Sequence, residues 1–153
     1  MTIRKILVPT DGSAGALAAA SFAGALAGPL GAEVTVVMVL ADDLVMPGAW
    51  GPDMAAGLPG TIEEIRGKIE SGARQKEIPD TVEALGDVGE GADTLVIWGH
   101  HANEICRIAQ EQGTDLIVIG SHGRSAIGGM LLGSVSHAVA NRAPCPVTVV
   151  RGN

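Results

Sequence analysis

Five short runs dense in β-branched residues, each fenced by turn formers, constrain the fold of this chain more than any other feature. They are Ile3–Val8, Glu33–Leu40, Thr94–Trp98, Asp115–Ile119 and Val147–Val150. Each is too short for a typical helix, and its Val and Ile content suits a pleated sheet. Helical patterns lie between them. An Ala-rich stretch starts at Ser13, a good N-cap, and ends near Gly28-Pro29. Ile62, Ile65, Ile69 and Ala73 mark an amphipathic helix. Asn103 to Gln112 turns Ile105, Ile108 and Ala109 inward and is closed by Gly113. Val135, Ala138, Val139 and Arg142 form the last helix, before Pro144, with Ser134 or Ser136 placed to cap its first turn. The alternation β-α-β-α-β-α-β-α-β, without internal repeat, predicts a doubly wound, Rossmann-like α/β fold around a five-stranded parallel sheet. One domain spanning 1–153 is expected.

The core of such a fold must come from aliphatic residues. Apolar residues make up 46% of the chain but aromatics only 2%, so Val, Ile, Leu and Ala fill a sheet buried on both faces. Two segments resist a single reading. Ala41 to Gly60 holds Pro47, Pro52 and Pro59 with no usable period; it is a lid over a ligand or an unstructured surface loop. Pro79 ends or kinks the preceding helix, or else sits in the first turn of a continuation. Gly86, Gly89 and Gly91 weaken whatever follows.

Doubly wound sheets bind ligands beyond the carboxyl ends of their strands, where strand order reverses. Two loops at that edge carry chemistry: Pro9-Thr10-Asp11-Gly12-Ser13, and the stretch Gly120 to Ser136. The second is strand, glycine loop, helix, the arrangement in which N–H groups and a helix N-terminus receive a phosphate. Gly128-Gly129 alone would read as a flexible connector. A dinucleotide fingerprint requires G-x-G-x-x-G after the first strand and is absent. A lysine-bearing P-loop also fails, because Ser134 follows Gly133 directly where the lysine belongs.

A net charge of −7 argues against a nucleic-acid partner, since no basic stripe exists to neutralise a phosphate backbone. It also means that a polyanionic ligand needs local N–H donors, a helix dipole and a divalent cation. The two cysteines, Cys106 and Cys145, lack disulfide-framework or metal-ligand spacing, which points to a reducing cytoplasm. Cys145, between Pro144 and Pro146, reads as a small buried hydrophobe. No apolar run approaches a membrane span.

The pattern Gly120-x2-Gly123-x9-Gly133-Ser134, with Pro9-Thr10-Asp11-Gly12-Ser13 and the Ala-Pro-Cys-Pro-Val ending at Val147, resembles the ATP-binding branch of the universal stress protein family. The resemblance runs from Ile3 to Arg151. It implies that Gly120 and Gly123 let the backbone approach ribose and phosphates. Gly133, Ser134, Val135 and Ser136 would give N–H and hydroxyl donors to the phosphates. Asp11 would face them through Mg²⁺ or Mn²⁺, and Pro9 and Thr10 would line the ribose side. The backbone of Val39 would read the adenine edge. Asp11 beside an anion makes sense as a metal ligand; its other reading is a turn aspartate before Gly12. Arg124 reaches a phosphate or is solvated. Met38 stands where the family often has histidine, and Pro79 interrupts a helix usually continuous there.

His122 lies inside the phosphate loop and is a candidate nucleotide contact, with a role that is positional rather than catalytic. His100 and His101, adjacent on an extended chain, point apart and cannot readily share a metal; His137 reads as structural. With no P-loop lysine and no water-positioning Glu or Gln beside the loop, the resemblance implies a nucleotide-dependent regulatory module with at most slow turnover. The alternative is a slow ATPase or phosphotransferase. The last strand, Val147–Val150, is an expected edge, and the resemblance implies a homodimer through it. A downstream protein partner is expected but not identified by any residue.

Overall fold

The computed structural model describes residues 2–45, 61–123 and 132–152. In chain order these form β1 (Lys5–Pro9), α1 (Ala14–Leu30), β2 (Glu33–Leu40), a 3-10 turn (Asp42–Val45), α2 (Ile62–Gln75) and α3 (Glu77–Ala84). A second 3-10 stretch (Gly86–Gly91), β3 (Asp93–Trp98), α4 (His101–Gln112), β4 (Leu116–Gly120), α5 (Ser134–Arg142) and β5 (Val147–Val150) follow. The strands make one parallel sheet in the order β3-β2-β1-β4-β5. From β1 the chain walks outward to β3, then returns to the far side of β1 for β4 and β5. The order therefore reverses between β1 and β4, which fixes where a crevice forms.

Alternating side chains build a core on each face of the sheet. Ile6, Val8, Val34, Val36 and Val118 pack with Ala19, Ala20 and Ala23 of α1 and with Ile78 of α3. Leu7, Val37, Val39, Ile117 and Ile119 pack with Ile105, Ile108 and Ala109 of α4 and Val139 of α5. Each fully buried Val, Leu or Ile contributes about 1.5–3 kcal/mol. The small residues of α1 let it sit close: a Cβ on Gly24 would collide with the main-chain carbonyl of Leu85.

The helix ends follow local chemistry, with some departures from expectation. Helix α1 begins at Ser13, whose Oγ accepts from the Ala16 N–H at 3.3 Å. It continues past Gly28-Pro29 to Leu30 and stops at Gly31, left-handed at φ 61°. Pro29 is tolerated because it lies on the exposed side of the last turn, where water can reach the carbonyl left without a donor. Helix α2 opens with a capping box in which Thr61 and Glu64 bond each other's main-chain N–H. Its Ile62 is 51% exposed, so of the expected apolar stripe Ala73 is the fully buried member. The helical path breaks at Lys76, and Pro79 falls in the first turn of α3, where no intrahelical N–H is needed. Of the two readings of Pro79, the continuation is the one observed.

Among the described residues no helix is long and apolar enough to cross a membrane. At the amino edge of the sheet, Asp115 Oδ2 accepts from the N–H groups of Arg4 (2.8 Å) and Lys5 (3.0 Å). These bonds pin the starts of β1 and β4 together and lower the Asp115 carboxyl pKa.

Candidate functional site

The crevice opens because β1 and β4 part company early. The Thr10 N–H donates to Val37 C=O at 2.9 Å. In a parallel sheet a residue's N–H and C=O face one neighbour and alternate along the strand. Val8 and Thr10 therefore face β2, whereas Leu7 and Pro9 face β4. Pro9 has no N–H to give, and the β1–β4 register ends at Leu7↔Ile117. Beyond that point the two strands are free to diverge.

The same alternation places Val39. Gly99 N–H donates to Leu40 C=O on the β3 side, so Val39 turns its own N–H and C=O toward β1. The β1–β2 register stops at Pro9↔Val37. The Val39 main chain is thus aimed at the gap that β1 leaves, as a backbone reader of a base edge would need. Its side chain stays in the core, 6% exposed.

One wall of the crevice is the loop after β1. Gly12, at φ 74°, donates its N–H to Thr10 Oγ1 (3.1 Å), and Ser13 N–H donates to Asp11 Oδ1 (3.0 Å). Asp11 therefore does act as a turn aspartate. Its second oxygen, Oδ2, lies where a Cβ on Gly123 would be, so the glycine makes room for the carboxylate. That contact joins the two walls.

The other wall is Gly120 to Gly123. A Cβ on Gly120 would come within 2.7 Å of the Gly15 carbonyl group and 3.0 Å of the Ala16 nitrogen. Gly120 is needed so that the first turn of α1 can cross the end of β4. Its bare face is turned to helix packing. The ring Nδ1 of His122 is 3.2 Å from Ser121 Oγ, and its carbonyl lies against Gly15.

The third component is the start of α5. The N-cap is Gly133 and no side chain caps the helix, so the expectation that Ser134 or Ser136 would do so is not met. Ser134 is already the first helical residue, and the Ser136 hydroxyl shares its single proton between the carbonyls of Ser121 (2.8 Å) and Gly133 (3.0 Å). The Gly133 N–H is also committed, to Ser121 C=O at 2.7 Å. Gly133 and the Ser136 hydroxyl therefore fasten the helix to the crevice wall. The N–H groups of Ser134, Val135 and Ser136 are the opening turn, which has no intrahelical acceptors; among the described residues none is bonded.

Arg124 lies outside the described residues, as does 46–60, which includes most of the segment read as a lid or loop. His100 is the residue before α4 and His101 its first. No three His, Cys, Asp or Glu groups among the described residues gather to hold a metal. His137 is exposed and pairs with Asn141. Cys145 is half-buried and packs on the α4–α5 core face. Burial raises the pKa of both thiols: an effect offset at Cys106 by Arg142, and reinforced at Cys145 by Asp115 and Cys106. Both stay protonated at neutral pH and are poor nucleophiles. Sequence reasoning missed Ser121, whose carbonyl organises the α5 start, and Gly15, whose backbone receives Gly120. Ser121's place between two motif glycines was the available signal.

Residues 2–151 match the family model described as universal stress protein family. The chain is 40% identical over 90 residues to universal stress protein YxiE of Bacillus subtilis, a stretch covering 59% of this chain and 60% of that protein. It is 36% identical over 148 residues to universal stress protein MJ0531 of Methanocaldococcus jannaschii, covering 97% and 82% of the two chains. Among solved structures, that of MJ0577 superposes with a TM-score of 0.82 at 28% identity, covering 100% of this chain and 99% of that one. The universal stress protein from Archaeoglobus fulgidus in complex with dAMP superposes with a TM-score of 0.60 at 21% identity, covering 98% and 99%.

Proposed function

Since the chain belongs to the universal stress protein family, we propose that it is an ATP-binding regulatory module whose nucleotide occupies the crevice between β1 and β4. The observation that carries this reading is the uncapped start of α5. Three N–H groups and the positive end of a helix dipole face the point where the strand order reverses. An anion satisfies all of them at once. The phosphates are assigned to Ser134, Val135 and Ser136, the ribose to Pro9 and Thr10, and the adenine edge to the Val39 main chain. The dAMP complex of the Archaeoglobus fulgidus protein shares only the fold with this chain, and it shows nucleotide chemistry compatible with that fold.

The donor set fits a divalent cation in one way. Asp11 is a single carboxylate, and no cluster of three ligands stands among the described residues. Mg²⁺ or Mn²⁺ would be held by Asp11 together with phosphate oxygens and water, as Mg²⁺ commonly is. Such an ion would neutralise phosphate charge that Asp11 alone would repel. Asp11 also braces its own loop through Ser13, so its position is set before any ion arrives.

Holding the nucleotide is favoured over cleaving it, because Ser134 stands where a P-loop lysine would. Calorimetric titration with ATP and Mg²⁺, followed by single-turnover phosphate release, tests the reading. Saturable binding with negligible release is expected. Rapid release would make the protein a slow ATPase or phosphotransferase, and no binding would remove both readings. We also place the protein in the cytoplasm, in keeping with its two free thiols, and assign β5 as a homodimer edge. All four residues of β5 are only half-buried, and β4 pairs with one side of the strand. Val149→Pro should shift the protein to a monomer in sedimentation; an unchanged dimer rules that edge out.

A further inference from the structure

The crevice loop is tied to α3 by a pair of buried hydroxyls, of which Thr10 belongs to the first loop's motif and Thr81 to no binding motif. Thr81 is fully buried, and its Oγ1 donates to the Glu77 carbonyl at 2.7 Å. A hydroxyl has one proton, and a carbonyl can only accept, so that proton is committed. Thr81 Oγ1 also lies 2.8 Å from Thr10 Oγ1, itself 7% exposed. Thr10 must therefore be the donor in that pair. Thr10 Oγ1 in turn accepts the Gly12 N–H at 3.1 Å. The only consistent assignment runs one way: Gly12 N–H to Thr10, Thr10 to Thr81, Thr81 to the Glu77 carbonyl. Hydrogen bonds chained in one sense polarise each other in a low-dielectric interior.

We infer that Thr81 is a positioning residue for the nucleotide crevice, holding the Thr10–Gly12 turn in its binding shape from a helix 71 residues away in sequence. A mid-helix threonine bonded to its i−4 carbonyl is common by itself. What sets Thr81 apart is the second use of its oxygen, as the sole described acceptor of the Thr10 hydroxyl proton. The link reaches the first turn of α3, next to the break at Lys76. A change in the α2–α3 junction and a change in the crevice loop are thereby coupled through one contact.

This inference rests on the nucleotide reading for its purpose but not for its test. Amide exchange at Gly12 and Ser13, followed by NMR in the nucleotide-free full-length chain, is compared for wild type, Thr81→Val, Thr81→Ala and Thr81→Ser. The Val and Ala variants are expected to exchange about tenfold faster at these two amides, with β1 and β4 unchanged, and Ser to restore the wild-type rate. ATP affinity should fall about tenfold in Val and Ala and return in Ser. Equal exchange at Gly12 and Ser13 in all four proteins overturns the inference, as does failure of Ser to restore it. If exchange responds as expected but wild type binds no ATP, the positioning link stands and the nucleotide reading falls.

Discussion

Two helices start beside the crevice, and their first turns are built in opposite ways. Helix α1 is self-sufficient: Ser13 caps it, Asp11 receives the Ser13 N–H, and Thr10 receives that of Gly12. Helix α5 begins at a glycine with no side-chain cap, and the N–H groups of Ser134, Val135 and Ser136 have no acceptor among the described residues. Ordinary protein chemistry favours a cap worth about 1 kcal/mol, and α2 shows that this chain uses one where nothing else is required. Leaving it out at α5 while fastening the helix through Ser136 and the Gly133 N–H makes a terminus that is fixed and, among the described residues, unsatisfied. On the proposed reading, the first loop holds shape and the second receives charge.

That contrast can be broken from either side. The largest effect is expected from Gly133→Val, because a Cβ there already lies 3.2 Å from the Ser121 carbonyl oxygen. Crowding should lift α5 from the wall and weaken ATP binding by about 2–3 kcal/mol, roughly 30- to 150-fold in Kd, with the oligomeric state unchanged. Calorimetry and sedimentation check both halves. Asp11→Asn comes next: the gain in ATP affinity that Mg²⁺ brings should shrink about tenfold, while affinity without metal rises or holds. Ser13→Ala should do the reverse of Gly133→Val, lowering stability to chemical denaturation by about 1 kcal/mol while leaving Kd within about threefold. The smallest effect belongs to Asp115→Asn, far from the crevice. The folded-state pKa of Asp115 is lowered by the Arg4 and Lys5 N–H groups. Its contribution to stability is therefore present above the unfolded value of about 3.9 and is lost as pH falls through the folded value. The variant should be slightly less stable at neutral pH and converge with wild type in strong acid.

Much of the fold was legible because the strands declare themselves. The runs Glu33–Leu40 and Val147–Val150 have the bounds read from their β-branched residues. Gly113 closes α4 in the left-handed conformation expected of a stop. Helix α1 ends at Leu30, beside the Gly28-Pro29 stop read from the sequence. At the site, the glycine spacing marked the loop after β4 but not what each glycine packs against. Whether Gly120 faces a ligand or the backbone of Gly15 depends on how α1 crosses β4, a tertiary relation that no local pattern encodes. The α5 cap was misread for a similar reason. Ser134 and Ser136 are the right residue types, but Ser121 claims the Ser136 hydroxyl from across the loop. Thr81 carried no signal at all, lying in a helix whose course around Pro79 had two readings.

The most direct test of the unsatisfied terminus is an amide-resolved NMR titration of the wild-type protein with ATP and Mg²⁺. The largest shifts are expected at the Ser134, Val135 and Ser136 amides, with a further response at Val39. The committed amides of Gly12 and Ser13 should move less. Saturation by ATP with the three α5 amides unmoved would contradict the account.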